Sequence, residues 1–218
     1  MTDKRRVPGS FAAVGKVAQR VVSRNRRLTL LLAMVAVNAS SCVPRAVSST
    51  RVERPASTVE IVFPLAADSV RFASGWGDAR PGGRSHQGQD LFAPRWTPVL
   101  ATTDGTVDWM TTAQPRAEPG FAVLLRGDDG YLYYYAHLNN DNPGLRDNRG
   151  GTRYAYARGL KNGDRVQAGD VLGYVGDSGN AEAAGPHLHF EIHRESWGRA
   201  FDPGPALRRA LERRRVVR

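Results

Sequence analysis

Phe121-Ala122-Val123-Leu124-Leu125-Arg126, Gly127-Asp128-Asp129-Gly130 and Tyr131-Leu132-Tyr133-Tyr134-Tyr135-Ala136-His137-Leu138 follow one another without a break. Two apolar and aromatic runs around a turn built of Gly and Asp predict an antiparallel hairpin. The same grammar repeats on both sides. Val59–Phe63 stops at Pro64, and Thr97–Ala101 leads through Asp104-Gly105 into Thr106–Met110. Arg165–Ala168, Val171–Val175 and His187–His193 complete the set. No stretch before residue 205 sustains a helical period. The expected fold is mainly β: an antiparallel barrel or sandwich over residues 59–204. Residues 139–160 form one long loop, rich in Asn, Asp, Gly and Arg, with an aromatic patch at Tyr154-Ala155-Tyr156. Loops of this length are usually functional or mobile. After Asp202-Pro203-Gly204-Pro205 a short helix is expected, with Leu207 and Leu211 four apart, inside a basic C-terminal tail over 205–218.

Composition bounds the rest. The chain has 218 residues, 41% hydrophobic and 24% charged, so a core is feasible and wholesale disorder is excluded. A single Cys excludes an intrachain disulfide framework and a Cys-based zinc cluster. The net charge of +10 belongs to the ends: residues 1–27 carry +7 and residues 207–218 carry +5, leaving −2 on residues 28–206. A nucleic-acid-binding domain would concentrate positive charge on its body, so no nucleic-acid partner is expected.

Residues 1–42 read as an address. A basic stretch ending in Arg24, Arg26 and Arg27 precedes an apolar run from Leu28 to Val37, then Asn38-Ala39-Ser40-Ser41 and Cys42. That is the order of a secretory signal. Ala39-Ser40-Ser41-Cys42 resembles a lipobox, in which the Cys carries lipid; cleavage after Ala39, or an uncleaved anchor, are the other readings. A membrane-anchored lipoprotein of the cell envelope is expected, otherwise a secreted or periplasmic protein. Residues 43–58 lack periodicity and read as a linker.

Four of the five histidines stand in informative places. His187-Leu188-His189 lies in a strand, so both imidazoles share one face while Leu188 packs behind. His86 and Asp90 stand four apart around Gly88. His137 ends the aromatic strand, where alternation groups it with Tyr131, Tyr133 and Tyr135. Each motif alone is ordinary surface chemistry. Together, His86, Asp90 and one of His187 or His189 supply the three His and carboxylate ligands that a catalytic zinc takes, with a fourth position open.

The ordered motifs resemble the lysostaphin-like zinc metallopeptidases, the M23 family. They are Ser74-Gly75-Trp76-Gly77, His86-Gln87-Gly88-Gln89-Asp90-Leu91-Phe92-Ala93-Pro94, Thr97-Pro98-Val99 with Asp104-Gly105-Thr106-Val107, Tyr135-Ala136-His137-Leu138, Gly169 to Gly176, and Gly185-Pro186-His187-Leu188-His189-Phe190-Glu191. The resemblance implies an antiparallel β groove domain and hydrolysis of peptide links in bacterial peptidoglycan. It implies His86, Asp90 and His189 as ligands of one Zn2+ per chain, and His137 and His187 as catalytic histidines that do not touch the metal. His193 has no counterpart role and is expected at an exposed strand end, and Tyr133 and Tyr135 are candidates to support the site. Two departures stand out. Trp96 occupies a position where the family commonly has Gly, and the 139–160 loop is long enough to reshape a groove. The rival from another class is an envelope-anchored, non-catalytic activator of cell-wall amidases, which in this family accompanies loss of zinc ligands; a wall-glycan binding module is a third reading. The full set of histidines and Asp90 favours the enzyme.

Overall fold

The computed structural model describes residues 59–67, 69–73, 75–113 and 119–216. The signal-like and linker stretches over 1–58, with Cys42, lie outside the described residues. The strands are β1 (Arg71–Ala73), β2 (Ala79–Arg80), β3 (Arg84–Ser85), β4 (Gln89–Phe92), β5 (Pro98–Leu100), β6 (Gly105–Met110), β7 (Phe121–Gly127), β8 (Tyr131–Leu138), β9 (Arg165–Val166), β10 (Val171–Tyr174), β11 (His187–Arg194) and β12 (Ala200–Phe201). Two helices join them, α1 (Thr152–Ala155) and α2 (Gly204–Val216). The main sheet runs β1-β4-β11-β8-β7-β6-β9, with β12 added to β11, and every pairing is antiparallel. The sheet ends in two edges, β1 and β9, so the mainly β expectation holds while the barrel is not closed. A second small sheet pairs β5 with β10, and its Val99 and Leu172 enter the same core.

The β7–β8 hairpin forms as its turn chemistry demands. Gly130 takes φ 88, its N–H donates to the Gly127 carbonyl, and the Asp129 carboxylate accepts the Tyr131 N–H. Alternate residues then separate by face. Tyr131, Tyr133 and Tyr135 of β8 enter the core with Leu188, Phe190 and Ile192 of β11, and Phe190 packs against both Tyr133 and Tyr135. The opposite face carries Tyr134 and Ala136, with Ala122 of β7.

Alternation fails near the end of β8, and the expected facing of His137 is corrected there. Phe121 pairs with Leu138 but Val123 pairs with Tyr135, so β8 holds an extra residue. His137 sits at this bulge with φ 61. A bulge re-aims the side chain it carries. His137 therefore leaves the Tyr133–Tyr135 face for the Tyr134–Ala136 face, and Leu138 drops into the core. Ser178 fastens the bulge: its hydroxyl donates to the Leu138 carbonyl at 2.6 Å and accepts the Phe121 N–H at 2.9 Å.

Residues 139–160 are pinned along their length. Arg95 bridges Asp141, at 2.6 Å, and Asp177, at 2.7 Å. Asn139 donates to the carbonyls of Asp141 and Tyr154, and Tyr156 donates to those of Thr111 and Ala122. Trp96 adopts φ 69, the left-handed conformation that suits Gly, and lays its ring against Tyr154 and Tyr174 at 5.9 and 6.0 Å. The turn that the family commonly builds with Gly is kept, and the indole is used to hold the loop.

The stretch expected as a basic tail folds as α2. The Asp202 carboxylate accepts the Gly204 N–H at its start, and Ala206, Leu207 and Ala210 are buried. Arg209, Arg213 and Arg214 donate to the carbonyls of Val59, Ile61 and Leu65. Among the described residues, no helix is long and apolar enough to cross a membrane.

Candidate metal centre

Strands β4 and β11 bring the ligand candidates together. In register, His189 lies opposite Asp90 on one side and Ala136 of β8 on the other. Leu91 and Leu188 fill the core behind them. His86 is held just before β4, where its N–H donates to the Asp78 carbonyl and its own carbonyl accepts from Gly77. Gly88, between His86 and Asp90, has no room for a side chain. A Cβ there would stand 2.5 Å from the Phe190 carbonyl oxygen and 2.8 Å from His189 Cε1.

Three donor atoms meet on this face. His86 Nε2 lies 2.9 Å from His189 Nδ1 and 3.1 Å from Asp90 Oδ1, and His189 Nδ1 lies 3.0 Å from Asp90 Oδ1. His86, Asp90 and His189 are the group among the described residues that could hold a metal ion. Arg80 donates to the other carboxylate oxygen, Asp90 Oδ2, at 2.7 Å, which leaves Oδ1 for the meeting point.

The partners of the remaining nitrogens fix the tautomers, because a carbonyl or carboxylate oxygen only accepts. His86 Nδ1 donates to the Gly75 carbonyl at 2.9 Å, and His189 Nε2 to Glu191 Oε1 at 2.7 Å. His137 Nδ1 donates to the Ser178 carbonyl at 3.0 Å, and His187 Nδ1 to the Gly185 carbonyl at 2.8 Å. Every one of the four imidazoles is thus anchored by one nitrogen and leaves the other facing the site. His187 Nε2 stands 3.9 Å from Asp90 Oδ1, and its ring lies 4.9 Å from that of His137.

Electrostatics follow the same arrangement. Burial works to raise the Asp90 pKa, but hydrogen bonds with His189 and His86 outweigh it and hold the carboxyl well below the usual range. Burial opposes a charge on His189, yet its bonds to Asp90 and Glu191 raise its pKa to about 9. The Asp90 and Glu191 carboxylates thus favour positive charge at this point. His137 goes the other way: burial first, then the nearby His187 and His189, lower its pKa to about 4. Burial also lowers that of His187.

These groups line a groove of about 770 Å³, with Arg80, Arg84, Pro119, Tyr134, Ala184 and Trp197 among its walls. None of its described lining residues comes from 139–160. Within that loop, Asn148 donates to Glu182 at 3.5 Å, one residue beyond the lining residue Ala181. Tyr133 and Tyr135, expected near the site, face away from it: the Tyr133 hydroxyl bonds to Asp129 and that of Tyr135 to Thr102. Tyr134 takes that place. His193, expected at an exposed strand end, is fully buried at 0% exposure. It continues the His187, His189, Glu191 face of β11, and its Nε2 lies 2.6 Å from Glu191 Oε2. The period-two reading that joined His187 to His189 would have reached Glu191 and His193 had it been carried four residues further. Arg80 and Ser178 act across the sheet and leave no such local signal.

The family model of peptidase family M23 matches residues 84–147 and 144–203. The chain belongs to this family. An L-Ala–D-Glu endopeptidase of Bacillus subtilis is 34% identical over 163 residues, covering 68% of this chain and 43% of that protein. A peptidoglycan DD-endopeptidase, ShyC, of Vibrio cholerae is 32% identical over 109 residues, covering 50% of this chain and 20% of that protein. The chain therefore spans less than half the length of either relative. The catalytic domain of the antimicrobial peptidase lysostaphin from Staphylococcus simulans superposes with a TM-score of 0.51 at 28% identity, covering 64% of this chain and 92% of that domain.

Proposed function

We propose that the chain is a zinc metalloendopeptidase that cuts stem peptides or cross-links of bacterial peptidoglycan. The observation that carries this reading is the meeting of His86 Nε2, Asp90 Oδ1 and His189 Nδ1 on a groove wall beside two further imidazoles. Two nitrogens and one carboxylate oxygen are a catalytic zinc's usual donors, with a fourth direction left open. Their spacing fits as well: ligands about 2.0–2.1 Å from one tetrahedral zinc stand about 3.3 Å apart, close to the 2.9–3.1 Å found. His86, Asp90 and His189 would hold one ion per chain. When bound, zinc lowers the pKa of water to about 7 and polarises a carbonyl.

The chain's own residues do the proton work. His187 Nε2 offers a lone pair 3.9 Å from Asp90 Oδ1 and takes a proton from the attacking water. As imidazolium, it returns that proton to the leaving amine. His137 is neutral at rest. Negative charge developing on the scissile carbonyl oxygen raises its proton affinity, so its free Nε2 takes up a proton from solvent water and, as imidazolium, donates it toward that oxygen. The names of the relatives support peptidoglycan as the substrate class, and they specify different bonds.

Residues 1–42 are read as an export segment with lipid on Cys42, placing the enzyme on a membrane of the cell envelope. Intact-mass analysis of the native protein should find an acylated Cys42 at the mature N-terminus; an unmodified N-terminus at Ser40 would show simple secretion. For the activity, zinc per chain is measured beside peptide release from purified peptidoglycan. One zinc and new amino termini are expected. A zinc-loaded chain that binds the wall and releases no peptide would overturn the enzyme reading.

A further inference from the structure

We propose that His193 and Glu191 are positioning residues for the metal centre, forming a buried relay that fixes the ring of His189. The proposal rests on the metal-site reading above. Its basis is one face of β11, on which His187, His189, Glu191 and His193 follow at every second residue.

Each hydrogen in the relay has a forced direction. The Gly198 N–H points to His193 Nδ1 at 3.2 Å. A backbone N–H only donates, so Nδ1 carries the lone pair and Nε2 carries the hydrogen. His193 Nε2–H therefore donates to Glu191 Oε2 at 2.6 Å, while His189 Nε2–H donates to Glu191 Oε1 at 2.7 Å. Both carboxylate oxygens are held by imidazoles, and the carboxylate cannot rotate without losing one of them. His189 in turn cannot rotate without losing Glu191, so its Nδ1 stays aimed at Asp90 Oδ1 and His86 Nε2.

The relay is largely buried, meeting the groove at His189 and Glu191. Glu191 is 7% exposed and His193 0%. The ring of Trp197 stacks on that of His193 at 4.4 Å and 19°, and Tyr134 meets Trp197 edge-on at 5.0 Å. Burying an ionised carboxylate beside two imidazoles is a poor way to stabilise a sheet, since apolar residues of similar volume usually serve as well or better. It is a good way to hold a ligand: a carboxylate behind a metal-bound imidazole fixes its tautomer and increases its basicity. His193 adds a further tier, which orients the carboxylate itself.

The test is zinc affinity, measured on the whole chain by competition with a chromophoric chelator, with the visible spectrum of the Co2+-loaded protein as a second readout. Glu191→Gln and His193→Phe should each weaken zinc binding about 10–100-fold and alter the cobalt spectrum. His193→Phe keeps a ring against Trp197 and removes the Nε2–H donor, together with the Nδ1 acceptor of the Gly198 N–H. His193→Gln restores an amide N–H toward Glu191 and should recover affinity, which a purely structural role for the ring would not produce. Wild-type affinity and spectrum in folded His193→Phe would overturn the role of His193. Should that variant not fold, Glu191→Gln decides: unchanged affinity there overturns the relay. Wild-type protein that binds no zinc overturns the metal-site reading and the relay with it. Zinc-binding wild type with unaltered variants overturns the relay alone.

Discussion

His137 and Trp96 share an unusual property: both are large residues with positive φ, 61 and 69. At His137 the strain turns an imidazole from the core face to the groove face, and the proposed chemistry depends on that turn. It is not one of the three donors, so His137→Ala should retain zinc while peptide release falls about 10²–10⁴-fold. Asp90→Ala and His189→Ala should lose both together, because each leaves two ligands where three are needed. Zinc per chain by elemental analysis, set beside peptide release, separates the cases. At Trp96 the left-handed backbone costs roughly 1–2 kcal/mol, against two aromatic contacts at about 0.5–1.5 kcal/mol each and the area the indole buries. Packing wins, so Trp96→Gly should destabilise the chain by about 1 kcal/mol in urea titration. At this scale the donor candidates were legible in the sequence: His86, Asp90 and one of His187 or His189 lie in short local patterns, and the family resemblance singles out His189. The facing of His137 was not, because the bulge is fastened by Ser178, forty residues further along. The burial of His193 was hidden too, because it depends on Trp197 folding back over the strand.

At the scale of elements, the β7–β8 hairpin and β11 could be read from alternation and turn chemistry, which act within a few residues. The short pieces β1, β2, β3 and β12 could not, since two or three residues form a strand only when a partner is already in place, whereas β9 lies within the Arg165–Ala168 run. The 139–160 segment was recognised as long but not as anchored. Its anchor is Arg95, whose side chain is 12% exposed and lies between Asp141 at 2% and Asp177 at 10%. A buried cation shared by two carboxylates cannot be removed without leaving both uncompensated. Arg95→Met should therefore destabilise the domain by about 3–5 kcal/mol, more than any surface ion pair. Urea unfolding gives the loss, and limited proteolysis should find new cleavage within 139–160. A stability change below 1 kcal/mol would mean the loop is held mainly by Trp96 and Tyr156.

For the whole molecule, the helix at the chain's end matters more than its basic composition suggested. Leu207 alone, fully buried, is a side chain whose removal costs about 2–5 kcal/mol. The three arginine-to-carbonyl bonds add charged hydrogen bonds of about 1.5–3 kcal/mol each. Total stabilities of about 5–15 kcal/mol leave little after such a loss. A chain cut after Pro203 should lose cooperative thermal unfolding, as circular dichroism melting would show; a melt like that of the full chain would reduce α2 to an accessory. The clamp also sets an order in time. The arginines of α2 stand 149 to 152 residues after the carbonyls they hold, and His189 is 99 residues after Asp90. At a synthesis rate of about 5–20 residues per second, the first segment of the domain waits roughly 8–30 s for its partners. A chain still short of β11 therefore has neither a closed core nor a complete set of metal-ligand candidates. The metal site and the core are completed only once α2 has been made, long after the segments that carry Asp90 and Val59.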